Sequence, residues 1–183
     1  MHFLLVNDDG IGSVGIMALM EAALKRGHRV SMCAPSGQMS AASHRITLSD
    51  PLYVKDYLLN RENAEGFAIT GTPADCVRLA FLGGLVADPV DGVISGINNG
   101  YNAGLATYYS GTVGAAREGA LLGYPAIAAS IDYKADPAHV QDAAELVLAV
   151  AEKYCQAPQD GFRVLNINVP DLPRARWGAP VYA

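Results

Sequence analysis

Short runs of apolar residues alternate along the chain with longer stretches whose apolar positions recur every three or four residues. The short runs are typical of buried strands and the longer stretches of amphipathic helices. The pattern predicts strands at 3–6, 29–34, 67–70, 92–95, 126–131 and 163–169, and helices at 15–25, 73–82, 112–122 and 139–154. Strands and helices in this order form βαβ units, which favour a parallel sheet with right-handed crossovers.

The remaining stretches are polar or rich in glycine. Residues 36–43 are predicted to form a loop. Residues 46–57 are strand-like and are predicted to return through a turn at 60–66. Residues 171–183 have no clear element. Because no repeat or linker interrupts the pattern, we expect one domain over residues 1–183, with 171–183 as an irregular tail.

Composition and charge restrict the classes of partner. A length of 183 residues suits one domain, and 51% hydrophobic residues suffice for a substantial core. The net charge is −5, and the 13 Lys and Arg residues do not cluster, which argues against binding to duplex nucleic acid. A small phosphorylated substrate remains compatible, because a metal ion can supply positive charge locally.

The cysteines and the apolar runs predict a cytoplasmic location. The three cysteines contain no CxxC pair, so a zinc ribbon or redox motif is not expected, and free thiols suit a reducing cytosol. The apolar start is short and runs directly into two acids, unlike a signal peptide. The longest apolar runs are too short to span a membrane.

The segment Asn7-Asp8-Asp9-Gly10, with two adjacent carboxylates, directly follows the first predicted strand. In open α/β sheets, ligands bind beyond the carboxyl ends of the strands. Neighbouring carboxylates repel each other unless a cation or a proton intervenes, and Mg²⁺ prefers oxygen ligands of this kind. The alternative interpretation is that both acids only end the strand and cap the following helix.

Two further polar segments follow later strands. The segment 95–104 (SGINNGYNAG) contains Asn98 and Asn102, which can supply neutral oxygen ligands or only adopt the unusual backbone angles of a turn. The segment Ser110-Gly111-Thr112 opens a predicted helix, where hydroxyl and N–H groups can bind phosphate or only cap the helix.

Several other sites are excluded or less expected. The chain has no P-loop motif and no GxSxG nucleophile elbow. Glycines at 10, 12 and 15 fit GxGxxG spacing, but Asp8 and Asp9 lie where a pyrophosphate would approach. No repeated His/Cys spacing occurs, so Mg²⁺ or Mn²⁺ is expected rather than zinc. His44, in the loop after the second strand, is more commonly a surface residue than a catalyst.

The motifs together resemble the SurE family, the stationary-phase survival proteins with 5′/3′-nucleotidase activity. The resemblance covers nearly the whole chain, and the ordered set of motifs is highly specific. Its pieces are LLVNDDGI at 4–11, Ala34-Pro35 followed by Ser40 and Ile46-Thr47, TGTPADCV at 70–77, SGINNGYNAG at 95–104, YSGTVGAAREG at 109–119 and NINVP at 166–170.

This resemblance implies a Rossmann-like, three-layer α/β sandwich with a mostly parallel sheet. It also implies one divalent cation per subunit, Mg²⁺ or Mn²⁺. The implied metal ligands are Asp8, Asp9, Ser40 and Asn98, and the implied phosphate-binding residues are Asn102, Ser110, Gly111 and Thr112. The implied substrates are nucleoside 5′- and 3′-monophosphates and short polyphosphate.

The chain departs from the family pattern at two places. Ala41 stands where the family usually has glycine after the metal-loop serine. Family members also usually continue past this C-terminus with a β-hairpin arm and a tail used in subunit exchange. The chain is therefore expected to be either a C-terminally shortened homologue or a fragment of a longer one. A homodimer or higher homo-oligomer is expected, and a non-catalytic nucleotide-binding or sensing module is the alternative function.

The expected chemistry is hydrolysis of a phosphoric monoester, with Asp8, Asp9 and Ser110 as catalytic residues. The hydroxyl of Ser110 would stabilise charge on the phosphoryl oxygens. The attacking group is expected to be water with Asp9 or Asp8 as its base. An aspartyl-phosphate formed on Asp8 is the alternative.

Overall fold

The computed structural model describes residues 1–87, 89–158 and 160–182. Its helices and strands follow one another in an alternating order. They are β1 (His2–Val6), α1 (Val14–Lys25), β2 (Arg29–Pro35), β3 (Val54–Asp56), β4 (Ala64–Ile69), α2 (Pro73–Phe81), β5 (Gly92–Asn99), α3 (Ala106–Tyr109), α4 (Gly111–Leu121), β6 (Ala126–Ile131), α5 (Pro137–Gln156) and β7 (Val164–Val169), followed by a 3₁₀ turn at Arg174–Arg176.

The strands form one sheet in the order β3-β4-β2-β1-β5-β6-β7. Every pair is parallel except β3 with β4. Helices α1 and α5 pack together, as do α2 and α4, and each pair belongs to a different core cluster. The predicted three-layer α/β sandwich with a mostly parallel sheet is therefore confirmed.

The central strand β1 has apolar side chains on both faces. Phe3 and Leu5 belong to the core under α1 and α5, whereas Leu4 and Val6 belong to the core under α2 and α4. This split follows from the two-residue repeat of a strand, which sends successive side chains to opposite faces. All four are fully buried, as expected for a parallel strand covered by helices on both sides. The site at the end of β1 therefore rests on a rigid support.

The predicted strand at 46–57 is wrong over most of its length. Only Val54–Asp56 forms a strand, and it lies at the sheet edge against β4. Residues 48–51 are exposed, so their apolar side chains have no core to join. The predicted turn at 60–66 is also too long, because β4 already begins at Ala64.

The structure also differs from prediction around the glycine-rich segment. β5 continues to Asn99, with an irregular register against β6 between Ser95 and Asn98. Gly96 makes this possible: its φ is +139°, and a Cβ there would lie 2.3 Å from the carbonyl oxygen of Ala129. The short helix α3 was not predicted. The tail contains one 3₁₀ turn that was not predicted either.

The cysteines are free thiols, and two of them lie in the core. Cys33 and Cys76 are fully buried in the core, as predicted, and all three thiols are free. Burial raises the pKa of the Cys33 thiol to about 12. Within the described ranges, no helix combines the length and apolar character needed to cross a bilayer.

A group of charged side chains joins α1 to α5 at the surface. Glu152 accepts two hydrogen bonds from Arg26, from Nε at 2.9 Å and from Nη2 at 2.5 Å, and contacts His28 Nε2 at 2.7 Å. Lys25 pairs with Glu145 at 3.0 Å. The pKa of Glu152 falls to about 2 from its ordinary 4.5, mainly because of the hydrogen bond from Arg26; burial opposes this shift, and the contact with His28 adds to it. The folded state is therefore stabilised when Glu152 is ionised.

We expect Glu152→Gln to lower the free energy of unfolding by about 1 kcal/mol at neutral pH, because bidentate ionic hydrogen bonds exceed ordinary surface pairs. The pKa of Glu152 is depressed by folding, so this stabilisation is present above about pH 4.5 and disappears as the pH falls towards 2. Thermal denaturation at pH 7 and pH 3 measures it. Glu21→Gln is the matched control, because Glu21 pairs with Arg61 at an exposed position. Equal losses in both variants at pH 7 would contradict the prediction.

Candidate active site

The carboxyl ends of β1 and β5 lie side by side at the centre of the sheet. From β1, the chain builds β2 on one side and later returns to place β5 on the other. This is the switch point at which open α/β sheets bind ligands. Asp8 and Asp9 follow β1 after the single residue Asn7, and Asn98 and Asn99 end β5. The fold thus places the two acids beside Asn98, which the sequence had suggested as a ligand, at the carboxyl ends of neighbouring strands.

Asp8 is held at the start of α4. Its Oδ1 accepts a hydrogen bond from Thr112 Oγ1 at 2.6 Å, and its Oδ2 accepts one from the Thr112 N–H at 3.2 Å. Asp8 is only 5% exposed. Burial raises the pKa of the Asp8 carboxyl, the Thr112 hydroxyl opposes this shift, and the neighbouring Asp9 adds to it. A nearby cation would favour the ionised form of Asp8, because it would offset both the cost of burying the charge and the repulsion from Asp9.

Asp9 is more accessible than Asp8 and is held from the other side. Its Oδ2 accepts a hydrogen bond from the Asn99 N–H at 3.2 Å, which ties the end of β1 to the end of β5. Burial raises the pKa of the Asp9 carboxyl, and the Asn99 N–H opposes this shift. The neighbouring Asn98 donates from Nδ2 to the Gly100 carbonyl at 2.7 Å. The nitrogen of the Asn98 amide is therefore engaged, whereas its oxygen has no hydrogen-bond partner among the described residues.

Ser40 belongs to the segment 36–47, which we call the Ser40 segment. The Met39 N–H donates to the Asp8 carbonyl at 2.7 Å, so the backbone beside Ser40 is fastened to the start of the acidic pair. The Ser40 side chain is exposed, and no hydrogen bond joins it to either carboxylate in the part of the chain that the structure describes. The structure therefore brings Ser40 near the site through its backbone only.

The phosphate-binding residues predicted at the start of α4 lie beside Asp8. Ser110 is the N-cap, and its Oγ accepts from the Val113 N–H at 3.0 Å. A Cβ on Gly111 would lie 3.0 Å from both Cβ and Oδ2 of Asp8, so glycine allows this close approach without a shift of Asp8. Ser110 and Thr112 are buried. The helix start thus faces the acids, and its positive end suits a negative ligand.

Asn102 is held more tightly than the sequence suggested. Its Nδ2 donates to Ser130 Oγ at 2.9 Å, and its N–H donates to Asn168 Oδ1 at 2.9 Å. Its carbonyl accepts from Asn166 Nδ2 at 2.7 Å and from Asn168 Nδ2 at 3.2 Å. Two strands, β6 and β7, therefore fix the loop after β5, and the amide nitrogen of Asn102 is already engaged.

The donor chemistry at the site fits a hard divalent cation. Both carboxylates, the free amide oxygen of Asn98 and the hydroxyl of Ser40 are oxygen donors, which Mg²⁺ and Mn²⁺ prefer. No group of three or more His, Cys, Asp or Glu side chains suited to a metal occurs in residues 1–87, 89–158 and 160–182. The site therefore offers two charges and neutral oxygens, and a zinc site of the usual His/Cys kind is not present in those ranges.

The sequence as a whole matches one family model. The model described as "Survival protein SurE" matches residues 3–181. The chain belongs to the SurE family. The predicted resemblance is thereby confirmed over nearly the whole chain.

Individual SurE relatives agree with this assignment. The chain is 44% identical to the 5′-nucleotidase SurE of Desulfitobacterium hafniense, over 97% of this chain and 67% of that protein. It is 46% identical to the 5′-nucleotidase SurE of Solidesulfovibrio magneticus, over 96% of this chain and 67% of that protein. The SurE crystal structure from Aquifex aeolicus matches with a TM-score of 0.81 and 37% identity, covering 96% of this chain and 68% of that one. The chain thus spans about two thirds of the length of these SurE proteins.

Sequence reasoning assigned no individual role to several residues that support the SurE-like site. Asn99 holds Asp9, Ser130 holds the Asn102 side chain, and Asn166 and Asn168 hold the Asn102 backbone. The last two belong to the NINVP motif, where asparagines two residues apart lie on the same face of a strand. That spacing is the signal that could have indicated their shared role.

Proposed function

We propose that this chain is a phosphoric monoester hydrolase that removes phosphate from nucleoside 5′-monophosphates and depends on a divalent cation. The observation that carries the proposal is the pair Asp8 and Asp9 at the switch point of the sheet, with Asp8 fastened by hydrogen bonds to the N-terminal end of α4. The activity named for the SurE relatives supports it.

We assign the cation to Asp8, Asp9, Asn98 and Ser40. When bound, Mg²⁺ or Mn²⁺ would polarise the phosphoryl oxygen and favour ionisation of a nearby water. Thr112 fixes Asp8, and the Asn99 N–H fixes Asp9, so the carboxylates do not have to reorganise when charge develops. Ser40 completes this set only if its segment stays beside Asp8.

The phosphoryl group is proposed to rest against Asn102, Ser110, Gly111 and Thr112. Ser110 and Gly111 lie at the start of α4, and Asn102 lies in the loop after β5. The N–H and hydroxyl of Thr112 both donate to Asp8, so Thr112 would contact the phosphoryl group only by sharing these donors. Hydrogen bonds from hydroxyl and N–H groups stabilise charge on the equatorial oxygens in phosphoryl transfer. Ser110 would contribute most directly, since its hydroxyl can turn from the Val113 N–H towards an anion.

The hydrogen bonds favour water as the nucleophile and Asp9 as its base. Both oxygens of Asp8 accept hydrogen bonds from Thr112, and Asp8 is almost fully buried, which makes it a poor attacking group. Asp9 is half-buried and has one oxygen without a hydrogen-bond partner among the described residues. An aspartyl-phosphate on Asp8 would require both contacts with Thr112 to break.

The finer assignments are also proposals. We propose activity on nucleoside 3′-monophosphates and short polyphosphate, a cytoplasmic location, and a homodimer or higher oligomer. The non-catalytic sensing module is less favoured, because the matched relatives are named as nucleotidases. The prediction of a single domain over residues 1–183 likewise stays a prediction.

Removal of the cation tests the proposal directly. We expect the protein to release phosphate from 5′-AMP in Mn²⁺ or Mg²⁺, and the rate to fall by at least about 100-fold in EDTA and to return when Mn²⁺ is added in excess. Parallel assays with 3′-AMP and tripolyphosphate test the finer substrate assignments. Binding of 5′-AMP without phosphate release in any of these metals would favour the sensing module instead.

A further inference from the structure

A buried carboxylate lies on α4, beyond the residues assigned to the site. Glu118 is only 4% exposed, and each of its oxygens has a cationic or ring-nitrogen partner from a different part of the chain. Oε2 lies 2.7 Å from His44 Nε2 in the Ser40 segment, and Oε1 lies 2.9 Å from Arg78 Nη1 on α2. A buried carboxylate needs such partners, and the loss of one leaves a costly unpaired group.

The His44 contact is one of several that fasten the Ser40 segment. The Ser43 N–H donates to the Tyr109 carbonyl at 2.9 Å, and Ser43 Oγ donates to the Tyr108 carbonyl at 2.7 Å. A Cβ on Gly114 would lie 2.3 Å from the Ser43 carbonyl oxygen, so the segment lies directly on α4. Thr47, at the end of the segment, donates to the Asp75 carboxylate from its N–H at 2.8 Å and from its hydroxyl at 2.7 Å. Hydrogen bonds to a carboxylate are stronger than those between neutral groups, so the Glu118 and Asp75 contacts are the stronger of these ties, and the Glu118 contact is the one nearer to Ser40.

The backbone of this segment needs to be held. Ala41 has φ of +56° and Ser43 has φ of +54°, which side-chain-bearing residues rarely adopt. Conformations of this kind cost free energy and persist where surrounding contacts over-determine them. Both residues lie between Ser40 and His44. The backbone between Ser40, the proposed cation ligand, and His44, which contacts Glu118, is therefore short and strained.

We propose that Glu118 is a positioning residue that holds the Ser40 segment over the site through His44. The inference rests on the proposed function, because the contact between Glu118 and His44 would serve to keep Ser40 beside Asp8 and Asp9. Arg78 has a different part: it pairs with the second oxygen of Glu118 and belongs to α2, so it stabilises the helix pair without touching the segment.

The three members of the cluster allow a matched test. His44→Ala removes only the contact with the segment, and Arg78→Gln removes only the contact with α2. Glu118→Gln weakens both, and if that variant does not fold, the first two still decide the question. Mn²⁺ affinity is measured by isothermal titration calorimetry, KM and kcat with 5′-AMP, and opening of the segment by the rate of trypsin cleavage after Arg45, followed by mass spectrometry.

We expect His44→Ala to weaken Mn²⁺ binding and raise KM by about tenfold, as supporting contacts of metal sites commonly do, and to speed cleavage after Arg45 several-fold. Arg78→Gln should change neither quantity. Wild-type values in His44→Ala, equal losses in Arg78→Gln, or faster cleavage with unchanged Mn²⁺ affinity would overturn the inference. If the wild type neither binds Mn²⁺ nor hydrolyses 5′-AMP, the proposed function fails, and the inference, which rests on it, fails too. The cleavage rates would then test only whether Glu118 restrains the segment.

Discussion

Replacement of Asp8 by asparagine is expected to lower kcat/KM for 5′-AMP by about 10²–10³-fold. The substitution keeps the size of the side chain but removes one of the two negative charges assigned to the cation. It also places an amide nitrogen against Thr112, whose N–H and hydroxyl both donate to Asp8. The loss should appear in phosphate release, and the Mn²⁺ affinity measured by calorimetry should fall by about tenfold or more.

Two controls separate this effect from damage to the fold. Asp56→Asn makes the same chemical change at an exposed position on the edge strand β3 and should leave activity unchanged. The Tm of Asp8→Asn should stay within about 4 °C of the wild type, a difference of about 1 kcal/mol, because the removed charge was buried. Near-normal turnover with normal Mn²⁺ affinity would remove Asp8 from the mechanism.

The parts of the fold that were predictable are those in which the local pattern and the final burial agree. Residues 126–131 form a strand with the predicted bounds, because all six side chains are buried and no residue in the run conflicts with a strand. The long helix α5 was also predicted, with ends that differ by two residues. In both elements, the apolar spacing of the sequence corresponds to the packing of the folded chain.

The failures occur where tertiary packing overrides the local pattern. Residues 46–53 contain Leu48 and Tyr53, which look like strand residues but are 86% and 67% exposed. β5 extends past Gly96, where the neighbouring strand leaves no room for a side chain, and local propensity cannot reveal a strand that passes through such a glycine. The helix α3 is short and has no buried residue, so it leaves no periodic signal.

The candidate site was predictable as a set of chemical groups but not as a network. Adjacent acids after a strand indicate a cation, and a small polar start to a helix indicates an anion, because both follow from local chemistry. The partner of a buried group is set by the fold. Glu118 lies 74 residues from His44 and 40 from Arg78, and no local spacing joins them. Asn102 likewise obtains its partners from β6 and β7.

Replacement of Gly15 by alanine is expected to destabilise the protein by about 3 kcal/mol or more, although alanine is the better helix former. Gly15 lies in the first turn of α1, where alanine would contribute about 1 kcal/mol by helix propensity. A Cβ at this position would lie 2.0 Å from the carbonyl oxygen of Ile97, and that oxygen belongs to the backbone of β5 and cannot turn away. Overpacking against backbone therefore exceeds the gain in propensity.

The same collision should reach the site, because Ile97 directly precedes Asn98 in β5. We expect Gly15→Ala to lower the Tm by about 6 °C or more and to weaken Mn²⁺ binding, both measured on the purified protein. Gly178→Ala is the matched control, since a Cβ there meets nothing within 4 Å and the backbone needs no positive φ. A variant with wild-type Tm would mean that α1 can move away from β5 at little cost. The close approach of the two elements would then not be what aligns Asn98 with the acids of β1.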